Sequence, residues 1–350
     1  MSTANLDAAD LKAVALGGLI AEDVMARIWD ISRIPLPFTD RVGDGTATAP
    51  YHEWTKDKLG AVDLTNARVD GADAGANQAT TGARVGNHAQ LSDKVVKVSD
   101  RAQAVGTLGF ADALAYQLMM RQQELYRDLE AIAIGGQASI ADDGNTTAGK
   151  SGGLASWIET NYYPGASPGA AGGFNSTTGV VDARVAGDGR GLTETQVRTA
   201  ALAAWTQGSN PNVLMSVPQV IANLSRYMFT SSAAIATLTR ETRGDTVGAT
   251  ALGSVNVFIT DFGVTLDLVP NRLQQTYNSG DTVPAPVADV FVLDTSLLSY
   301  AFLRRVQTAP LARTGTADNR QMSAHWTLVV GNEEGLACIA DILPGTAVVA

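Results

Sequence analysis

The stretch from Thr65 to Ala89 limits what this chain can fold into more than any other. Its only sizeable apolar residues are Val69 and Val85; the remainder is small or polar. A segment of that length with almost nothing to bury has no reason to sit inside a compact domain. Strand-like sequence lies on both sides. Tyr51-His52-Glu53-Trp54-Thr55-Lys56 alternates as a half-buried strand does, and Val95-Val96-Lys97-Val98 reads as its returning partner. Residues 51–100 are therefore expected to be disordered at the centre or to form a long arm whose contacts lie on another subunit. Trp54, Leu59, Leu64 and Val69 are the candidate anchors of such an arm.

Around the arm the pattern is mixed. Residues 6–34 read as a helix interrupted at Gly17-Gly18, with Ile20, Val24, Ile28 and Ile31 at helical spacing and Pro35 and Pro37 as the stop. The strongest helix runs from Phe110 to Ile134 without Gly or Pro, and its stripe is Ala111, Leu114, Leu118, Leu125, Leu129 and Ile132. Its other face carries Arg121, Glu124, Arg127 and Glu130, charges at three-residue spacing that suit either solvent or a subunit contact. Residues 135–191 hold 14 of the 35 glycines and read as loops and turns rather than a packed unit. Thr193 and Gln196 form a capping box for a helix through Trp205. Strands are expected at 213–217, 255–260, 264–269, 290–293, 326–330 and 337–342, with a Pro-started helix at 218–229. The fold class is α+β, with the elements before and after 193–300 sharing one core.

Composition excludes several functions. The 350 residues carry 25 Lys+Arg against 35 Asp+Glu, a net charge of -10, which opposes binding to a phosphate backbone. It does not oppose enclosing nucleic acid without adhering to it. Cys338 is the single cysteine and sits in an apolar run, so it reads as a small buried hydrophobe. The first ten residues contain Asp7 and Asp10 and lack the basic start of a signal peptide, and no stretch approaches the ~18 apolar residues of a membrane span. A protein made and kept in a cytoplasm is expected.

Two motifs imitate enzymes. Gly144-Asn145-Thr146-Thr147-Ala148-Gly149-Lys150-Ser151 matches the phosphate-binding GxxxxGK[ST], with Val290-Phe291-Val292-Leu293-Asp294 as a possible magnesium strand. That chemistry needs a strand feeding the loop and a helix starting at the lysine; here a helix precedes it and Gly152-Gly153 follows. A P-loop NTPase is the disfavoured alternative. Gly165-Ala166-Ser167-Pro168-Gly169 fits the hydrolase elbow in letters, without the strand before or the helix after. His52, His88 and His325 form no ligand set, and Arg304-Arg305 reads as a solvated strand end. No catalytic, cofactor-binding or metal site is expected.

Seven segments, taken in order, are Pro37-Phe38-Thr39-Asp40, Tyr51 to Leu59, Gln123 to Glu130, Val257 to Gly263, Leu268 to Arg272, Val290 to Asp294, and Pro310 to Gly315. Together they resemble a phage major head protein family of the Hong Kong 97-type capsid fold. The resemblance implies an N-terminal arm (1–50), an extended loop (51–100), a peripheral domain with a long spine helix (101–192 and 301–350) and an axial domain (193–300), with the glycine-rich 135–191 as a surface insertion. It also implies a non-enzymatic shell subunit that forms hexamers and pentamers around phage double-stranded DNA and resides in the virion. Partners would be a scaffolding protein, a portal and a cement protein, with assembly in the bacterial cytoplasm. An encapsulin-like compartment shell would share the same fold.

Overall fold

The structure, a computed structural model, describes residues 35–348 except 72, 74–78, 80, 106–111, 167, 231–255, 282 and 314. The helix expected at 6–34 lies outside the described residues, as does Ser167 of the elbow-like motif.

Two sheets organise the chain. The first is a long sheet in the order Gly43–Thr46, Leu298–Pro310, Ala317–Val330, Gln90–Ser99. Its centre is an antiparallel hairpin whose strands run 13 and 14 residues. The spine helix, Ala113–Ile134, starts at Asp112, whose carboxylate accepts the Ala115 amide. It packs against Gln90–Ser99 and Ala317–Val330. Leu125, Leu129, Ala133 and Ile134 enter one apolar cluster with Phe38, Tyr300, Met322, Trp326 and Leu328.

The second, axial sheet is mixed, in the order Tyr162–Tyr163, Ala337–Ile342, Pro286–Leu293, Val213–Ser216, Thr265–Pro270, Val257–Ile259. Helices Glu194–Thr206 and Pro218–Thr230 supply Val197, Ala200, Val220, Ile221 and Leu224 to one face, against Leu214, Phe258, Leu266, Val290, Val292 and Ile339. Alternate residues (Met215, Phe291, Leu293, Cys338, Ala340) turn the other way into the cluster around the spine helix. A sheet covered on both faces buries side chains pointing either way, which is why Val213–Met215, Val290–Leu293 and Ala337–Ala340 are unbroken apolar runs. The α+β expectation holds, and the capping box of Thr193 and Gln196 forms in both directions.

Four expectations are corrected. The partner of Tyr51–Lys56 is Ala83–His88, in register from Tyr51↔His88 to Lys56↔Ala83. Val95–Val98 belongs instead to Gln90–Ser99, which makes a continuous ladder from Ala317↔Ser99 to Trp326↔Gln90. That pairing covers the whole strand and lets Val96 be buried, an outcome a slender arm does not offer. Ala337–Ile342 joins the axial sheet, so 301–350 is not peripheral throughout. The described part of the expected N-terminal arm is built into the body: Gly43–Thr46 runs parallel to Leu298–Pro310, and Phe38 meets Tyr300 edge-on at 6.0 Å. Lastly, 135–191 is no surface insertion, because Leu154, Ala155, Trp157, Ile158 and Val181 are core residues. Its glycines permit backbone crossings. A Cβ on Gly153 would lie 2.1 Å from the Gly135 carbonyl oxygen, and one on Gly165 2.1 Å from that of Asp188.

Candidate assembly surfaces

The arm is fixed at its root and bare at its tip. Side chains two residues apart on one face of Tyr51–Lys56 and its continuation dock on the turn at 330–334. The Trp54 indole donates to the Val330 carbonyl (2.9 Å), Lys56 faces Glu333 (3.7 Å), and Lys58 pairs with Glu334 (2.6 Å) and also bonds Gln207. Trp54 lies 5.3 Å from the Trp157 ring, which stacks on Phe174 at 5.9 Å. The Tyr51 hydroxyl donates to the Gly179 carbonyl. Beyond Lys58 the apolar residues lose cover: Leu59, Val62, Leu64 and Val69 are 94, 86, 93 and 80% exposed.

Trp54 sits half-buried at the root of the arm, where its N–H and one side of its ring meet its own chain. Leu59, Leu64 and Val69 stand exposed on the arm. Val62 lies among them and went unread, although its position between Leu59 and Leu64 in an otherwise polar tract is a visible signal.

The four charged residues of the spine helix separate. Arg121 and Glu124 pair with each other; the hydrogen bond from Arg121 holds the Glu124 carboxyl below its usual range. Both are substantially exposed, so the pair contributes little stability. Arg127 is half-buried. Glu130 is fully buried: it accepts the Phe38 amide (3.3 Å), the Thr39 amide (3.2 Å) and the Asn271 side-chain amide (2.7 Å). Burial pushes its carboxyl above the usual range, against the lowering effect of those donors. Glu130 is therefore corrected from a subunit contact to an internal junction of the N-terminal segment, the spine helix and the loop after Thr265–Pro270. The spacing misled because the last turns of this helix are wrapped on more than one side, with Leu129, Glu130, Ala133 and Ile134 all buried.

The phosphate-pattern loop closes on itself. Ile140 and Lys150 bridge in antiparallel fashion, and the amides of Asn145, Thr146 and Thr147 each donate to Asp143 Oδ1 at 2.8 Å. Those amides hold the Asp143 carboxyl far below the ordinary carboxylate range. The donors that would cradle a phosphate are taken by the chain's own anion, and no helix starts at Lys150. Asp294 likewise caps its own turn, accepting from Ser296 and Asn210 amides. Among the described residues no group of three or more His, Cys, Asp or Glu is placed to hold a metal ion, and Cys338 is buried in the axial sheet.

A long helix on a long hairpin sheet, an axial sheet under two helices and a projecting hairpin arm together define a Hong Kong 97-type shell fold. A chain of the cyanophage A-1(L) capsid shares it with a TM-score of 0.61 over 95% of this chain and 99% of that one, at 12% identity. So does the holo-SrpI encapsulin of Synechococcus elongatus PCC 7942, with a TM-score of 0.57 over 99% and 98%, at 13% identity. The sequence model of the SU10 major capsid protein family matches residues 3–343, and the chain belongs to that family. It is also 35% identical over 102 residues to the major capsid protein of Escherichia phage Phieco32, a match that spans 29% of this chain and 29% of that protein.

Proposed function

We propose that the protein is the shell subunit of a tailed-phage head, assembling through copies of itself into hexamers and pentamers around double-stranded DNA. The observation that carries this reading is the arm: a hairpin fixed at its root by Trp54, Lys56 and Lys58 that displays Leu59, Val62, Leu64 and Val69 uncovered by the described residues. A neighbouring subunit is the occupant that family membership favours. The net charge of -10 suits enclosure of like-charged DNA without adhesion. On this reading the role is structural, without catalytic residues or cofactor, and the location is the virion after assembly in the host cytoplasm. A scaffolding protein guides closure, and a portal and a cement protein are further partners. An encapsulin-type compartment uses the same fold; protein cargo in place of packaged DNA distinguishes it.

The test removes the tip and keeps the root. Residues 59–80 are replaced by a short Gly-Ser turn, leaving Ala83–His88, whose Val85 and Asn87 are buried. Changing the length of a surface loop has a small entropic effect on folding, whereas stable subunit contacts bury ~1,200 Å² or more. The shortened chain is expected to melt cooperatively and to form no closed shells in electron micrographs. Normal shells from it would overturn the proposal.

A further inference from the structure

A cluster of charges lies inside the seam between residues 162–190 and the axial sheet. Arg184 Nη1 donates to Asp341 Oδ1 (3.2 Å) and to the Tyr162 hydroxyl (2.8 Å), and Nη2 lies 3.3 Å from Asp289 Oδ1. The Tyr277 ring covers the guanidinium at 4.0 Å. The side chains of Arg184, Asp289 and Asp341 are at most 1% exposed.

The two acids are satisfied unequally. Asp341 also accepts the Gly165 amide at 2.9 Å, and its backbone sits at φ 63, a left-handed conformation held by this network. Neither carboxylate oxygen of Asp289 accepts a hydrogen bond of good geometry, and Arg184 Nε and Nη2 are similarly unmet. Two carboxylates around one buried guanidinium place like charges close together. Close acids in that position share a proton. The next cation, Arg190, is half-buried; its N–H groups go to the Ala340 and Tyr163 carbonyls, and its charge acts on Asp341 rather than on Asp289.

We propose that Asp289 is a buried proton-binding site: its proton neutralises the Arg184–Asp289–Asp341 cluster and locks the 162–190 segment onto the axial sheet, and proton loss loosens that seam. Burial pushes the Asp289 carboxyl up to about 6; Arg184 opposes the rise, Asp341 adds to it, and the Asp341 amide lowers it. Tyr162, Tyr277 and the Cys338 thiol stay neutral across that range, since burial raises all three. The folded chain therefore keeps a proton between the ordinary aspartate range and about 6 that the unfolded chain has lost. This stabilisation is complete at acid pH and disappears as pH rises through about 6.

Infrared difference spectra of the full chain, with isotope-labelled aspartate to separate Asp from Glu carbonyls, test the site directly. A protonated-carboxylic-acid band from aspartate is expected at pH 5, lost by pH 8 and missing from Asp289→Asn. The wild type should also lose more melting temperature than Asp289→Asn between those pH values. No aspartate acid band at pH 5 in the wild type would overturn the proposal even if the variant fails to fold, and so would a band that persists in Asp289→Asn. Neither readout requires that the protein form shells, so failure here leaves the shell reading untouched.

Discussion

Glu130→Ala tests the internal junction most sharply. The substitution removes the acceptor of three donors: the Phe38 amide, the Thr39 amide and the Asn271 side-chain amide. Phe38 and Asn271 are buried and Thr39 half-buried, so water does not replace the lost acceptor at two of the three. Each orphaned buried donor costs about 1–3 kcal/mol, and removing a desolvated carboxylate returns part of that. The expected net loss is about 3–5 kcal/mol, a large share of the ~5–15 kcal/mol that stabilises a typical folded chain. Glu130→Gln keeps one oxygen acceptor and should lose only about 1–2 kcal/mol.

Urea unfolding of the unassembled subunit, followed by circular dichroism and tryptophan fluorescence, measures both losses as midpoint shifts at constant slope. The two variants also differ in pH dependence. Because the folded-state carboxyl of Glu130 titrates above its unfolded value, its contribution is full at acid pH and falls as pH rises through the folded value. The Glu130→Gln penalty should therefore shrink with rising pH. An Ala variant within about 0.5 kcal/mol of wild type, the scatter expected of surface changes, would refute the junction. So would a Gln variant less stable than the Ala variant.

Two further substitutions probe local devices. Thr193→Ala removes the hydroxyl that accepts the Gln196 amide and should cost about 1 kcal/mol, seen as a lower urea midpoint with assembly intact. Gly153→Ala sets a Cβ 2.1 Å from the Gly135 carbonyl oxygen and 2.7 Å from its carbon, and only backbone movement relieves that. A loss of at least about 3 kcal/mol, or insoluble protein, is expected from such overpacking, whereas a wild-type midpoint would mean that the crossing is slack.

Elements whose local signal agrees with their tertiary role were legible in the sequence. The spine helix, the capped helix at Glu194–Thr206 and the apolar strand Ala337–Ile342 all stand close to where periodicity and capping put them. Ala83–His88 was not legible, because Val85 is its single sizeable apolar residue and its other large buried side chain, Asn87, is polar. Asn87 donates to Ser151 Oγ and to the Gly152 and Leu328 carbonyls, and accepts the Gly152 amide. A strand held by a satisfied buried amide leaves no apolar alternation to read. Leu298–Pro310 escaped for a related reason. Its first half is core and its second half is solvated, with Arg305 paired to Asp44, so Arg304-Arg305 looked like a strand end while the ladder to Ala317–Val330 continued past it.

Glycine density has two physical causes, and a sequence shows only their sum. Gly144 and Gly179 occupy left-handed turns at φ 67 and 72, the slack use of glycine, while Gly153, Gly165 and Gly172 stand where another backbone passes within contact distance. The 135–191 segment is dominated by the second use, so it is tight where its composition suggests loose. The buried acids carry the same ambiguity: Glu130, Asp289 and Asp341 look like solvated charge in sequence and serve as internal fasteners between segments far apart in the chain. Polar groups thus join this subunit's interior seams while Leu59, Val62, Leu64 and Val69 stand in solvent on the arm. The apolar clusters still make the bulk of the core, and the four arm residues leave apolar surface that the described residues do not cover, the surface a second copy would cover in the proposed shell.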